Sequence, residues 1–565
     1  MSLGMLVPLL PLLAVIIVLV GEPETQYVRS KVGVLPLAAS FGGSLITLVL
    51  VASDGAITIR FYDPSFIANV ALPLGFHIDR LSAVMLVLIS GVGTIVYGYS
   101  VNYMFQDRGY RRFLALIGVT TFVLLCMVSS INLVMLFVFW QLLSYLLALL
   151  AHNLSHPATL QGAFRTFTLL RVGDVAFLAG IILAYALYGT IEFQELFSRA
   201  ADTPITLSLF PGIEMTGSTA VTLLIFIGAM SKSAQFPLHI WLPSSLYAPT
   251  PVHALLHAGI INAGGFLINR LAPLYGLSPP TLHVAFVIGT LTAFLGASMM
   301  LTQNDIKKTL GFSTIGQMGY MIMECGLGAF ALAIFHLIAH GLFKATVFLN
   351  CGNVIHKARQ EPLLPMRPAA QEAEFSGLTW TTGFFTILLM PLIILLAAHG
   401  ALQIPILDSQ GSVIFLFFIW VTSTQAILTL TRLRGVASWK VSGAMLLILL
   451  FVVFTYLFAA KRFTTFLYPD REEVAAYFRA AALPGPVFDS LVVISTVLIV
   501  AGWFYLYSRT RGERIPLPSW VETVRASLYL LFMNRLYLDV AYSKLGAAVM
   551  RLAYRLDRSW LGRVL

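Results

Sequence analysis

The sequence predicts an all-α polytopic membrane protein of about fifteen transmembrane helices, and three observations predict it. Apolar residues make up 58% of the 565 residues and charged residues only 11%, with a mean hydropathy of +0.87. A globular chain carries about a quarter charged residues, so there is too little charge here to solvate a soluble surface of this size. The apolar residues fall into about fifteen stretches of the ~20 residues that a helix needs to cross ~30 Å of hydrocarbon. The stretches are continuous and do not alternate, which selects helices over a closed barrel, the other backbone that lipid tolerates.

In order, the stretches centre near residues 12, 43, 92, 121, 141, 177, 229, 262, 291, 318, 342, 390, 421, 451 and 497. The first, Leu3–Val20, has no charged segment or small-residue cleavage site before it and reads as a retained span, not a removed signal peptide. The seventh and eighth carry breaks. Pro237 follows Lys232 by five residues, and Ala248-Pro-Thr-Pro251 precedes the eighth. Each proline removes a helical hydrogen bond and frees carbonyls that could hold water or an ion. An amphipathic tail follows from about residue 515.

Basic residues orient the bundle. The net charge is +10. The loops on one side, together with the tail, hold 24 of the 35 Lys and Arg residues, and the opposite loops hold eight. The positive-inside rule then places the tail in the cytoplasm and the N-terminus outside, in the periplasm of a bacterial inner membrane. Most of the positive charge is therefore topology, and no nucleic-acid partner is expected. The tail, with ten basic and four acidic residues counted from Arg509, could lie on anionic membrane lipid or hold a partner.

Three cations remain inside the spans: Arg171, Lys232 and Lys344. A charge at mid-depth costs roughly 2.5–3.5 kcal/mol on insertion scales, so these residues mark where chemistry is sought. Lys232 lies near the middle of the seventh stretch, and a buried amine suits a proton relay; a structural ion pair with a carboxylate is the other reading. His336, His340 and Lys344 recur at i, i+4, i+8, which lines them along one helical face over about 12 Å. Imidazole can pass a proton between its two nitrogens. Packing remains an alternative, and zinc would need further ligands that are not evident. His253 and His257 repeat the i, i+4 spacing after the second break. Together with His239, His336, His340 and His399 they could form an axis along the membrane mid-plane. Arg171 and Asp174 stand at i, i+3, where mutual neutralisation is as good a reading as function. Asp174 is also the best intramembrane anion available to Lys232. Glu324, near the end of the tenth stretch, reads as interfacial.

Other chemistries find no support. No phosphate loop, nucleophile elbow, zinc-protease motif or dinucleotide fingerprint occurs, and no aqueous segment is long enough for a catalytic domain. Cys126, Cys325 and Cys351 are scattered through apolar segments and read as packing residues. No cofactor and no metal site is expected, and the chain is not expected to be an enzyme in itself.

The segment Gly228–Ala258 (GAMSKSAQFPLHIWLPSSLYAPTPVHALLHA) resembles the signature of the proton-translocating membrane family shared by respiratory complex I and Mrp antiporters. His77-Ile-Asp79, Phe139-Trp140, Arg171-Val-Gly-Asp174, Asp305-Ile-Lys-Lys308, Ser313-Thr-Ile-Gly-Gln-Met-Gly-Tyr320 and Phe335–Lys344 (FHLIAHGLFK) match as well. The likeness is strong over roughly residues 60–360, weaker elsewhere, and most like the NuoL branch. It implies antiporter-like inverted repeats with broken seventh and twelfth helices at the ion path. Residues 1–110 would then be N-terminal helices, 111–275 the first repeat, 276–435 the second, 436–510 C-terminal helices and 511–565 the cytoplasmic basic tail. Lys232, His257, His336, His340 and Lys344 fall on the family's relay positions.

Three departures narrow the resemblance. The family's fifth helix has a Glu after its Trp, as partner of the seventh-helix Lys; here that position is Gln141, so Lys232 must rely on Asp174, water or a bound ion. The family's twelfth-helix Lys is absent, and around Pro391 the titratable side chain is His399. The sequence also stops soon after the fifteenth span, where a NuoL subunit continues. A shortened NuoL-like subunit resembles the DabB family, the membrane half of bacterial inorganic-carbon accumulation complexes. That resemblance implies H+ or Na+ influx coupled to CO2 hydration by a DabA-like peripheral zinc protein on the cytoplasmic side, itself resembling a β-carbonic anhydrase. The alternatives are a NuoL-like pumping subunit of complex I or a related redox complex, and a non-conducting membrane scaffold.

Overall fold

A computed structural model describes residues 3–360 apart from 21, 63–64, 68–69, 72, 152–156, 211 and 245–247, then 439–510 and 518–557, with isolated positions between 389 and 420. Thirteen of the fifteen predicted stretches coincide with helices. The two centred near 390 and 421, and His399 with them, lie outside the described residues.

The helices are α1 (Leu3–Leu19), α2 (Gln26–Val32), α3 (Val34–Asp54), α4 (Arg80–Tyr103), α5 (Tyr110–Val128), α6 (Leu133–Ala151), α7 (Pro157–Tyr188), α8 (Phe193–Asp202) and α9 (Gly217–Lys232). There follow α10 (Trp241–Ser244), α11 (Thr250–Leu255), α12 (Ala263–Arg270), α13 (Ala272–Gly276), α14 (Pro279–Met300), α15 (Ile306–Gly326) and α16 (Phe330–Gln360). The last are α17 (Trp439–Leu467), α18 (Arg471–Ala481), α19 (Gly485–Thr510), α20 (Ser519–Met533) and α21 (Leu538–Asp557). Nine of the described helical segments are long and apolar enough to cross a membrane, and Gly4–Leu19 and Gly217–Lys232 are shorter apolar helices.

Small strands join the helices at one end. β1 (Ile57–Tyr62) pairs antiparallel with β4 (Leu74–Ile78), β2 (Ser65–Ile67) with β3 (Val70–Ala71), and β5 (Thr206–Phe210) with β6 (Ile213–Thr216). Strands of two to six residues are invisible to a search for twenty-residue apolar runs. They mark a hairpin end of the bundle. The opposite, basic end carries Arg108, Arg111, Arg165 and Lys307.

At the hairpin end Asp79 caps α4 by accepting from the Ser82 N–H at 2.9 Å. It also takes two hydrogen bonds from Arg270, at 2.7 and 3.1 Å, so the exit of α12 is tied to the entry of α4.

Close packing replaces the hydrophobic drive that lipid cannot supply between helices. α14 and α15 cross through glycines: a Cβ on Gly289, Gly296, Gly319 or Gly326 would stand 2.3–2.4 Å from backbone nitrogen of the facing helix. The segment Thr250–Arg270 lies at the centre, with every residue buried.

The tail is docked. Phe532, Leu536, Leu538 and Tyr542 pack on the core, Arg165 reaches Asp539 at 3.4 Å, and the Tyr542 hydroxyl donates to the Pro237 carbonyl at 3.3 Å. Between α20 and α21 the chain turns through Arg535, Leu536 and Tyr537, all with φ between 54° and 59°. Such left-handed geometry is strained for non-glycine residues. Arg535 is held at this turn by Asp539 at 3.3 Å and by the Phe312 ring at 5.9 Å.

Candidate ion-translocation site

The first cluster forms where α9 stops. Helical geometry ends at Lys232, Ala234 adopts φ +50°, and the chain passes through Leu238–Ile240 before restarting at α10. Much of the break is bonded internally, while buried Gln235 Oε1 and His239 Nδ1 have no hydrogen-bond partner among the described residues. Gln235 N–H donates to Met230 O, Trp241 Nε1–H to Ser231 O at 2.8 Å, and Phe236 N–H to the Thr292 hydroxyl at 3.0 Å. Lys232 starts about 23 Å along α9 from the hairpin end at 1.5 Å per residue, and its side chain points back towards mid-depth.

Fully buried, the Lys232 ammonium donates to the Trp140 carbonyl at 2.9 Å and to Ser144 Oγ at 2.5 Å. It also stands 4.8 Å over the Trp140 ring. Among the described residues no carboxylate lies within ion-pair distance of it. Asp174 is one step removed: Trp140 Nε1–H donates to Asp174 Oδ1 at 2.7 Å, and Arg171 pairs with Asp174 Oδ2 at 2.7 Å. Gln141 Oε1 accepts from Arg171, whose guanidinium also stacks over Tyr145 and Phe167. The residue in place of the family's Glu therefore faces Arg171, and Lys232 is left with neutral acceptors.

The second cluster is a row of imidazoles. His253 and His257 rings stack with centroids 6.2 Å apart, His257 meets His340 edge-on at 6.3 Å, and His340 meets His336 at 6.4 Å. Phe348 stacks on His257 at 4.6 Å and His253 at 5.1 Å, walling that side. Rings at these centroid separations can be joined through one bridging water between neighbouring nitrogens. His257 and His340 are buried with both ring nitrogens lacking a protein partner, which leaves them open to such a water.

The row changes depth. α16 enters from the hairpin end and α11 from the basic end, where Lys307 donates to Ala248 O at 3.3 Å. His336 is about 9 Å and His340 about 15 Å in from the first residue of α16, and His257 is about 10 Å in from the start of α11. The contacts thus step across the bundle, where the sequence spacing suggested an axis confined to the mid-plane. Lys344, two turns beyond His336, leaves this row: its ammonium donates to Ser313 Oγ at 2.9 Å and Leu310 O at 3.4 Å on α15.

Two residues that the sequence reading passed over join the clusters. The stretch Leu256–Ile260 is a π-helical turn carrying His257, a wide turn that frees backbone carbonyls. Asn262 Nδ2 donates to the His257 carbonyl at 2.9 Å and the Ala258 carbonyl at 3.3 Å, and its buried Oδ1 has no protein partner. One residue away, Ile261 O accepts from Ser233 Oγ at 2.6 Å, beside Lys232. Asn262 therefore stands between the clusters; a lone amide in an apolar stretch was the signal for it. Ser144, one turn after Trp140, carried a similar signal. His239 stacks on Phe236 at 5.9 Å and makes no ring contact with the row. His399 lies outside the described residues. Glu324, expected at the interface, is buried and pairs with His336 Nδ1 at 3.2 Å.

Comparison with known proteins identifies the family. The family model described as NADH:quinone oxidoreductase/Mrp antiporter matches residues 130–407, and that of the complex I chain 5 N-terminus matches residues 65–114. A protein of Halothiobacillus neapolitanus named "Probable inorganic carbon transporter subunit DabB1" is 38% identical over 561 residues, 97% of either chain. Subunit L of a Neisseria meningitidis NADH-quinone oxidoreductase is 38% identical over 316 residues, 55% of this chain and 46% of that one. Among solved structures, the Mrp complex from a Dietzia species matches with TM-score 0.56 and 22% identity, over 97% of this chain and 60% of that one. Respiratory complex I from Thermus thermophilus matches with TM-score 0.57 and 19% identity, over 85% and 99%; these two likenesses concern the fold. The chain is a multi-pass membrane protein that belongs to the NADH:quinone oxidoreductase/Mrp antiporter family of membrane subunits, on the branch of its chain-long relative DabB1.

Proposed function

We propose that the chain is the cation-conducting membrane subunit of an inorganic-carbon transport complex. It passes H+ or Na+ inward and couples that flux to CO2 hydration, and so to bicarbonate accumulation, by a separate DabA-like zinc protein docked at its cytoplasmic end. The observation that carries the assignment is the 38% identity to a probable inorganic carbon transporter subunit over 97% of both chains. The site's chemistry agrees with it. An ammonium buried among neutral acceptors, as Lys232 is, has little to gain as a packing residue and suits the gain and loss of a proton. Asp174, held by Arg171 and Trp140, would tune the Lys232 charge through the indole.

The histidine row supplies groups that take a proton on one nitrogen and release it from the other. Lys232 serves as the central relay, in communication with His257, His336, His340 and Lys344, which carry the charge across the bundle, with His253 at the basic end and His399 near the exit. The basic end, with the docked tail, faces the cytoplasm of a bacterial inner membrane, as the 24-to-8 division of basic residues supports. The two antiporter-like repeats run over residues 111–275 and 276–435.

The test is growth at limiting CO2, with bicarbonate uptake, in a strain carrying Lys232→Ala. Loss of uptake at normal protein level is expected; unchanged uptake would sink the relay. Purification from the host separates this reading from a redox-driven pump, because a zinc protein co-migrates in the first case and quinone-module subunits in the second.

A further inference from the structure

The histidine row ends on a group that the relay so far leaves unused. Glu324 sits in the last turn of α15, two residues before the helix ends, and is 4% exposed. Its Oε2 lies 3.2 Å from His336 Nδ1, and the Tyr320 ring, one turn earlier on α15, is 5.0 Å from the same imidazole. Among the described residues His336 is its only ion-pair partner. With α15 about 31 Å long, its last turn lies at the hairpin end of the bundle, beside the boundary with water. From there the contacts run through His336, His340, His257 and His253 towards the basic end, and Asn262 with the Ser233–Ile261 contact joins His257 to the Lys232 cluster. A carboxyl placed in an apolar bundle carries a desolvation cost. An amide of the same shape would satisfy His336 without that charge, so mere positioning of the ring does not account for a glutamate.

We propose that Glu324 is the proton-loading carboxylate at the hairpin end of the histidine row, an inference that rests on the conduction reading above. A proton from water binds the carboxylate and passes across the 3.2 Å contact to His336 Nδ1. His336 releases its other proton from Nε2 towards His340, a turn of the imidazole ring presents its bare nitrogen to Glu324 again, and the regenerated carboxylate accepts the next proton. One proton enters for each that moves on, and no electron is transferred. Among the described residues the titratable groups facing Glu324 are His336 from α16 and Tyr320 and Cys325 from its own helix.

The experiment uses the complex purified from its host and sealed in lipid vesicles, with a pH gradient imposed and internal pH read by a dye. Glu324→Gln is expected to lower proton flux at least tenfold without lowering thermal stability. Its remaining flux should follow external proton concentration about tenfold per pH unit, because His336 must then be protonated directly from water; the native flux is less steep. Glu324→Asp should recover much of the flux and the native slope. Glu324→Met, which suits an apolar bundle, is the second variant and should lose the same flux. Native flux in either folded Gln or Met variant overturns the proposal, as does a loss with native slope that Asp does not rescue, since that marks a structural role. His340→Ala separates the two levels. If it conducts normally, the row itself fails as a path. If it abolishes flux while Glu324→Gln conducts normally, only the loading role fails.

Discussion

Gly173 sets how closely α7 approaches α9 beside Lys232, so Gly173→Ala tests the site through its packing. The added methyl would stand 1.9 Å from Ser231 Oγ, 2.4 Å from Ser231 Cβ and 3.1 Å from Ile227 O. Carbon–carbon contacts settle at about 3.5–4.0 Å. Rotating the serine hydroxyl removes the first clash but not the second, and the helices must part by about 1 Å. Asp174 moves with α7 while Trp140 stays on α6, so their 2.7 Å hydrogen bond is stretched. Overpacking costs about 1–3 kcal/mol, and loss of a hydrogen bond to a charged group about 1.5–3 kcal/mol. The better helix propensity of alanine returns about 1 kcal/mol, which leaves a net loss of about 1.5–5 kcal/mol. Cys126, Cys325 and Cys351 are buried free thiols, so a thiol-reactive dye reads unfolding directly on heating. The variant should unfold at lower temperature and conduct less, and Gly173→Ala combined with Ser231→Gly should regain most of both. A single variant as stable as the native chain, or a double variant no better than the single, would refute the packing account.

Further outcomes follow from the same geometry. Gly319→Ala sets a methyl 2.3 Å from the Ala293 nitrogen, with only backbone to yield, and should cost about 3 kcal/mol or more; Gly98→Ala meets nothing within 4 Å and should be neutral or stabilising by up to ~1 kcal/mol. Dye-monitored melting compares the two. Burial pushes the Asp79 carboxyl up, but the charge and hydrogen bonds of Arg270 overcome it and hold it at about 2, below the ordinary 3.8. A lowered carboxyl stabilises the fold above the unfolded value and loses that contribution as pH falls. The stability gap between native protein and Asp79→Asn should therefore be constant from pH 7 to about 5, narrow below about 4, be mostly lost at about 2 and vanish near 1. Asp539→Asn breaks the Arg165 and Arg535 pairs of the docked tail, both partly exposed. It should change stability by less than about 1 kcal/mol while hydrogen exchange in Leu538–Asp557 quickens; unchanged exchange would contradict docking through these pairs.

Much of the architecture was legible because lipid imposes a single rule, and twenty apolar residues make one span. The break after Lys232 was legible for a similar reason, since a proline cannot continue a helical ladder. The i, i+4 pairs His253–His257 and His336–His340 were legible as helical faces, but not their order in space. That order depends on α11 and α16 entering from opposite ends, which spacing within one helix does not encode. The Arg171–Asp174 pair was foreseeable at i, i+3. The turn of Gln141 towards Arg171, and the insertion of Trp140 between Asp174 and Lys232, were not, because they depend on how α6 and α7 rotate against each other. The end-of-stretch position of Glu324 was legible but its burial was not, since distance along a helix does not reveal that a neighbouring helix covers that end. The hairpins escaped because strands of two to six residues leave no twenty-residue signature.

The central claim is that the Lys232 ammonium is an obligatory step for the conducted cation. The direct measurement is ion flux in sealed vesicles containing the purified complex with Lys232→Met, which keeps the side-chain bulk and removes the charge, using a pH dye for H+ and tracer uptake for Na+. The account predicts a loss of flux of about a hundredfold or more in a variant that melts at or above the native temperature, as expected when a buried charge gives way to a packed apolar side chain. Native-level flux of either ion through a folded Lys232→Met variant would contradict it.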